Sequence, residues 1–177
     1  MRRSESIAEI KIIPERPGDA ESIYAVNASA FATHGEAELV AKLRCDVTPW
    51  ISLVATVDTD VVGHILFTPV DIQDDERPGT AIALAPVAVL PEHQNRGIGS
   101  ALVRKGLSNC EATGEHVVFV LGHTNYYPRF GFEPAWPRGL YFNTPEPNPA
   151  FFVLELQPAA LGGRRGEVRY HRHFYDV

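Results

Sequence analysis

The residues best suited to chemistry sit in one short run, Gln94-Asn95-Arg96-Gly97-Ile98-Gly99-Ser100. Two glycines one residue apart open a stretch whose positions Ile98, Leu102, Val103, Gly106 and Leu107 recur with helical period. The first turn of a helix carries free N–H groups and a partial positive charge, so it binds phosphate or pyrophosphate. Glycine lets an anion approach the backbone without a Cβ in the way. Arg96 can add a charge-assisted bond, and Gln94 can shape the loop. The same two glycines also suit a helix that merely packs close to a sheet. The run is not a P-loop, since no G-x-x-x-x-G-K-[ST] is present. Nor is it a dinucleotide fingerprint, since Leu102 stands where the third glycine would be.

The elements around this run set its geometry. Just before it, Thr80 to Leu90 is a continuous apolar run read as a strand, interrupted by Pro86. Proline cannot donate to a sheet ladder, so this strand is expected either at an edge or bulged from one neighbour. A parted strand leaves backbone groups free for an extended ligand with amides, such as pantetheine. Val117 to Leu121 follows the helix as a buried strand, and a strand–helix–strand unit implies a parallel pair. Upstream, Ile7 to Ile13 reads as a strand, with Asp19 capping a helix that carries Ile23, Val26 and Ala30. A second helix fits Glu36 to Arg44. Trp50 to Val57 and Val61 to Val70, joined by Asp58-Thr59-Asp60, read as a hairpin. Downstream lie a short helix, a proline-rich stretch from Pro134 to Pro149, and strands at Phe151 to Leu156 and Val168 to Tyr170. The order βααβββαβ with no long linker gives one α/β domain over residues 1–177.

Composition narrows the function classes. The chain has 177 residues, 22 acidic against 16 basic, and a net charge of −6, which argues against nucleic acid as partner. Cys45 and Cys110 are too few for a disulfide framework or metal site and read as small buried hydrophobes. Met1 to Glu5 lacks an apolar segment behind its arginines, and no apolar run approaches membrane length. A cytoplasmic protein without a membrane partner is the expectation.

The run Val87-Ala88-Val89-Leu90-Pro91 followed by Gln94-x-x-Gly97-x-Gly99 resembles the acyl-CoA signature of the GCN5-related N-acetyltransferases, Q/R-x-x-G-x-G/A after a strand. Tyr126-Tyr127-Pro128-Arg129-Phe130-Gly131-Phe132 resembles that family's Y-x-x-x-G-F ending, and with Leu121-Gly122-His123 it looks most like the YhbS-type branch. The resemblance spans about residues 7–156. It implies the acyl-CoA N-acyltransferase fold, a mixed twisted sheet with a splayed central parallel strand pair flanked by helices. It also implies acetyl-CoA as co-substrate, no metal, and an amine acceptor, either a small molecule or a protein; a homodimer is compatible with it. Carried over by residue, Val87, Ala88 and Val89 hold the pantetheine arm. Gln94, Asn95, Arg96, Gly97, Ile98, Gly99 and Ser100 hold the pyrophosphate. Tyr127 takes the place of the general acid with Tyr126 beside it, and a phenol there can protonate the departing CoA thiolate.

The general base is less legible. Some family members use a glutamate on the strand before the loop, but Ala81 to Leu90 holds no acidic residue. His34, Glu36, Glu38, His64 and His123 are the substitutes, with His123 favoured because it follows the fifth strand. The resemblance assigns acceptor recognition to Phe31 to Glu38 and to Trp136 to Phe152, where Trp136, Tyr141, Phe142, Phe151 and Phe152 offer aromatic surface. Arg164-Arg165 and Arg169 to His173 read as a solvated basic tail. A CoA-binding sensor without turnover and an enzyme using a longer acyl-CoA are the competing readings.

Overall fold

The computed structural model describes residues 9–48 and 50–176. Met1 to Glu5 and the first residues of the expected opening strand, Ile7 and Ala8, lie outside them. In chain order the elements are β1 (Ile10–Pro14), α1 (Ala20–Ala30), α2 (Gly35–Asp46), β2 (Ile51–Val57), β3 (Asp60–Gln73), β4 (Gly79–Val89), α3 (Ile98–Ala112), β5 (Val117–Leu121), β6 (Glu133–Pro134), β7 (Leu140–Tyr141), β8 (Phe151–Glu155) and β9 (Gly166–Arg169). The expected βααβββαβ order is present, and the short helix after β5 is a 3-10 turn at Tyr127–Phe130. The strands form one mixed sheet, ordered β1-β2-β3-β4-β5-β8-β6, in which β4 and β5 run parallel.

Side-chain alternation sorts two faces. Ile65, Phe67, Val118, Val120 and Phe152 share a core with Ile98, Leu102, Val103 and Cys110 of α3. Between them, Leu66 packs with Ile23 of α1 and Leu39, Val40 and Leu43 of α2. Phe119, Phe151 and Val153 instead join Val168 and Tyr170 from the C-terminal segment. Burying each large aliphatic side chain contributes about 1.5–3 kcal/mol. These packed layers hold the β4–α3 junction still.

Three expectations change. Asp19 does not cap α1: it ends a 3-10 turn with helical φ −85° and ψ −5°, and its Oδ2 accepts from Arg16 N at 2.8 Å. An N-cap needs an extended backbone to reach forward to the helix, and Asp19 lacks it. Cys45 is exposed while Cys110 is buried, because Cys45 lies two residues past Leu43 and so on the opposite side of α2. The C-terminal segment is not a solvated tail. It pairs β9 with β3 (Ile72 opposite Val168) along the edge that β2 leaves after Phe67, and it buries Val168 and Tyr170. Basic composition concealed the apolar residues set between the charges.

Candidate active site

Two parallel strands part where the site begins. β4 pairs with β5 only from Ile82–Val118 to Leu84–Val120. Against β3 it continues to Val89, but Ile65 faces Val87 while Phe67 faces Leu84. Two residues of β4, Ala85 and Pro86, therefore stand opposite Leu66 alone, which is a β-bulge. Proline's missing N–H makes this the position where the ladder breaks. Past it, the β5-facing backbone edge of Val87 to Val89 lies along a cleft of about 780 Å³.

The loop after β4 is built to present N–H groups. Gln94 Nε2 donates to Val89 O at 3.0 Å, tying the loop to the strand end. Asn95 and Gly97 both adopt positive φ, 60° and 82°. Gly97 takes that conformation without Cβ strain and ends the turn into α3. The first backbone bond across this junction runs from Ala101 N to Gly97 O, so the N–H groups of Ile98, Gly99 and Ser100 have no intrahelical acceptor. A Cβ on Gly99 would stand 2.9 Å from Tyr126 Oη, so the tyrosine hydroxyl lies against the helix start.

The opposite wall comes from the turn after β5. Tyr127 is 6% exposed and packs its ring on Gly122, where a Cβ would sit 2.3 Å from it. The Tyr126 ring meets it edge-on at 5.1 Å, and the Phe132 ring at 5.7 Å. Burial, and secondarily Tyr126, push the Tyr127 phenol well above the ordinary tyrosine range, so it keeps its proton. Arg129 stacks its guanidinium 4.0 Å from the Tyr126 ring centroid and donates from Nε to Tyr126 O at 3.1 Å.

Val87, Val89, Gln94, Asn95, Gly97, Ile98, Gly99, Ser100, His123, Tyr126 and Tyr127 all line this cleft. Ala88 and Arg96 do not. Ala88 is 2% exposed and pairs with His64, and strand alternation turns its side chain away from that of Val87. Arg96 is exposed and stands outside the lining. Phe31, expected on the acceptor side, also lines it, and the structure adds His93, Leu121, Gly122 and Arg129 to the walls. Arg129 lies within the Tyr126 to Phe132 motif, and its place on the cleft wall beside the Tyr126 ring is set by the turn after β5.

The five base candidates separate cleanly. His64 is sealed: Asn27 Nδ2 donates to its Nδ1 at 3.0 Å, so the neutral ring carries its proton on Nε2, 3.0 Å from Ser52 Oγ. Ser52 Oγ donates to Glu15 Oε2 at 2.6 Å, and Arg44 pairs with the other Glu15 oxygen. Burial, then the Arg44 charge, depress the His64 pKa to about 3. It is part of the scaffold. His34 and Glu38 are exposed and line neither this cleft nor the cavity beside it. His123 is exposed on the cleft wall, and Glu36 lines the adjoining cavity.

The expected aromatic acceptor surface is redistributed. Phe151 and Phe152 are 1% and 2% exposed in separate cores, because adjacent strand residues point to opposite faces. Trp136 is 47% exposed, and Tyr141 lines a different surface groove. Of the five, Phe142 alone borders the adjoining cavity.

A cleft with unpaired strand edge, helix-start N–H groups and a protonated phenol suits an extended, pyrophosphate-bearing ligand whose leaving group needs a proton. Residues 11–135 match the family model described as "Acetyltransferase (GNAT) domain". The chain is 40% identical over 153 residues, 82% of this chain and 84% of the relative, to the uncharacterized N-acetyltransferase YjhQ of Escherichia coli. It is similar to the crystal structure of the GNAT family N-acetyltransferase YhbS from Escherichia coli in complex with CoA, with TM-score 0.88 and 36% identity, covering 98% of this chain and 96% of that one. A GNAT family acetyltransferase from Brucella melitensis in complex with acetyl-CoA gives TM-score 0.75 and 33% identity, covering 94% and 99%. On fold, site architecture and sequence together, the chain belongs to the GNAT acetyltransferase family.

Proposed function

We propose that this protein transfers the acetyl group of acetyl-CoA to a primary amine by direct attack within a ternary complex. The observation that carries the reading is a single cleft holding three parts in sequence: the helix-start N–H groups, the unpaired edge of β4 and the Tyr127 phenol. The N–H groups of Ile98, Gly99 and Ser100 bind the pyrophosphate, with Arg129 supplying positive charge nearby. The backbone of Val87 and Val89 bonds the pantetheine amides as a missing strand partner would. CoA and acetyl-CoA in the two similar crystal structures support the choice of donor.

The amine must first give up its ammonium proton, to His123 or to water. Its nitrogen lone pair then forms a bond to the thioester carbonyl carbon. As the tetrahedral intermediate collapses, the C–S bond breaks and its electron pair leaves on sulfur. The nitrogen loses a second proton and Tyr127 supplies one to the thiolate, to be restored from solvent, so one proton is released per turnover. Positioning the two substrates supplies much of the rate.

The test is calorimetric titration with acetyl-CoA, followed by CoA release assays against a broad amine panel. Micromolar binding and amine-dependent CoA release are expected. Absence of acetyl-CoA binding overturns the proposal, and binding without release for any amine points instead to a sensor.

A further inference from the structure

A second cavity, of about 510 Å³, adjoins the first at the strand splay, sharing Phe31 and Leu121 as wall. Its floor includes Ala85 and Pro86 of the bulge. Three of its aromatics come from the C-terminal segment: Tyr170, Phe174 and Tyr175. Phe142 packs among them, with ring centroids 5.0 Å from Tyr170 and 5.7 Å from Tyr175. Glu36, in the first turn of α2, is the one Asp, Glu, Lys, Arg or His among the lining residues. Its Oε2 is buried with no hydrogen-bond partner among the described residues, and so is the Tyr170 hydroxyl. A buried carboxylate oxygen left unpaired is costly, and a cationic hydrogen-bond donor from a ligand relieves that cost.

Resting on the donor reading above, we propose that this cavity is the acceptor site and takes an arylalkylamine: one ammonium on Glu36, one flat apolar body among Phe142, Tyr170, Phe174 and Tyr175. The wall composition argues against three other small-amine classes. A polyamine needs several carboxylates, and the cavity has one. A free amino acid brings a carboxylate, and no Lys, Arg or His lines the walls to receive it. An aminosugar would bring many hydroxyls to a largely aromatic surface. The volume suits a small molecule, and aromatic faces favour both a ring and a nearby cation. The shared wall at Phe31 and Leu121 puts the amine beside the point where Val87 would hold the thioester.

Phenethylamine, spermidine and L-phenylalanine are the probes. With acetyl-CoA, kcat/KM for phenethylamine should exceed that for each of the others by about tenfold or more. Binding of phenethylamine to the CoA-loaded protein, followed by saturation-transfer NMR, reads the site even if turnover is slow. Glu36→Gln should weaken that binding about 10–100-fold while the acetyl-CoA Kd stays within about twofold. If Glu36→Gln does not fold, Phe142→Ala serves, with a loss of about tenfold for phenethylamine and an unchanged acetyl-CoA Kd. Preference for spermidine or phenylalanine, no phenethylamine binding, or wild-type affinity in both variants overturns the proposal. Loss of acetyl-CoA binding in the wild type would instead overturn the donor reading, so the two failures are distinct.

Discussion

At the scale of single residues, Tyr127 and His64 show burial put to opposite uses. Burial keeps Tyr127 protonated beyond the ordinary tyrosine value, which suits the proton donor proposed above. Tyr127→Phe should lower kcat about 100-fold, with acetyl-CoA affinity by calorimetry nearly unchanged. The wild-type pH–rate profile should show no fall from phenol ionisation below about pH 10. His64 is buried neutral, with its pKa depressed from 6.5 to about 3. Between those values the unfolded chain binds a proton that the native state refuses, so stability falls as pH drops through that window. Denaturant unfolding at pH 7, 5 and 4 should give a loss of up to about 1.4 kcal/mol per pH unit from this group. His64→Gln should show a shallower acid dependence than the wild type.

At the scale of elements, α3 owes its place to one glycine. A Cβ on Gly106 would meet the Phe67 ring at 2.3 Å, and Phe67 is wholly buried under the helix. Gly106→Ala should therefore destabilise the protein by about 1–3 kcal/mol despite its better helix propensity, measured as a lower denaturant midpoint. Because the N-terminus of α3 is the anion site proposed above, the same variant should also weaken acetyl-CoA binding. The β4 bulge is the companion device. Helix and strand periods were legible in Ile98 to Leu107 and Val117 to Leu121, since each pattern is local. Pro86 marked where the strand would part, but a bulge inside the sheet is distinguished from an edge strand only by β3 and β5 lying on its two sides.

At the scale of the whole molecule, the C-terminal segment closes the second cavity and is held at a distance by α2. His173 Nε2 lies 2.7 Å from Asp46 Oδ2, with Arg172 at 3.6 Å from the same oxygen. The hydrogen bond from His173 is the largest influence holding the Asp46 carboxyl below its usual range. Phe174 and Tyr175 follow directly, so Asp46→Asn should raise KM for the accepted amine several-fold and leave acetyl-CoA affinity intact. Steady-state kinetics with both substrates varied would separate these effects. The sequence by itself determined the element order, the glycine loop before α3 and the paired tyrosines, because periodicity, glycine spacing and turn chemistry act over a few residues. Only the tertiary structure decided which side chains meet. Ala88 turns away from the cleft by strand alternation, and Phe151 and Phe152 fall into different cores for the same reason. Glu36, Phe142 and Tyr170 are far apart in the chain and share one cavity. Such convergence depends on sheet pairing and on the fold-back of a charged tail, neither of which leaves a local pattern.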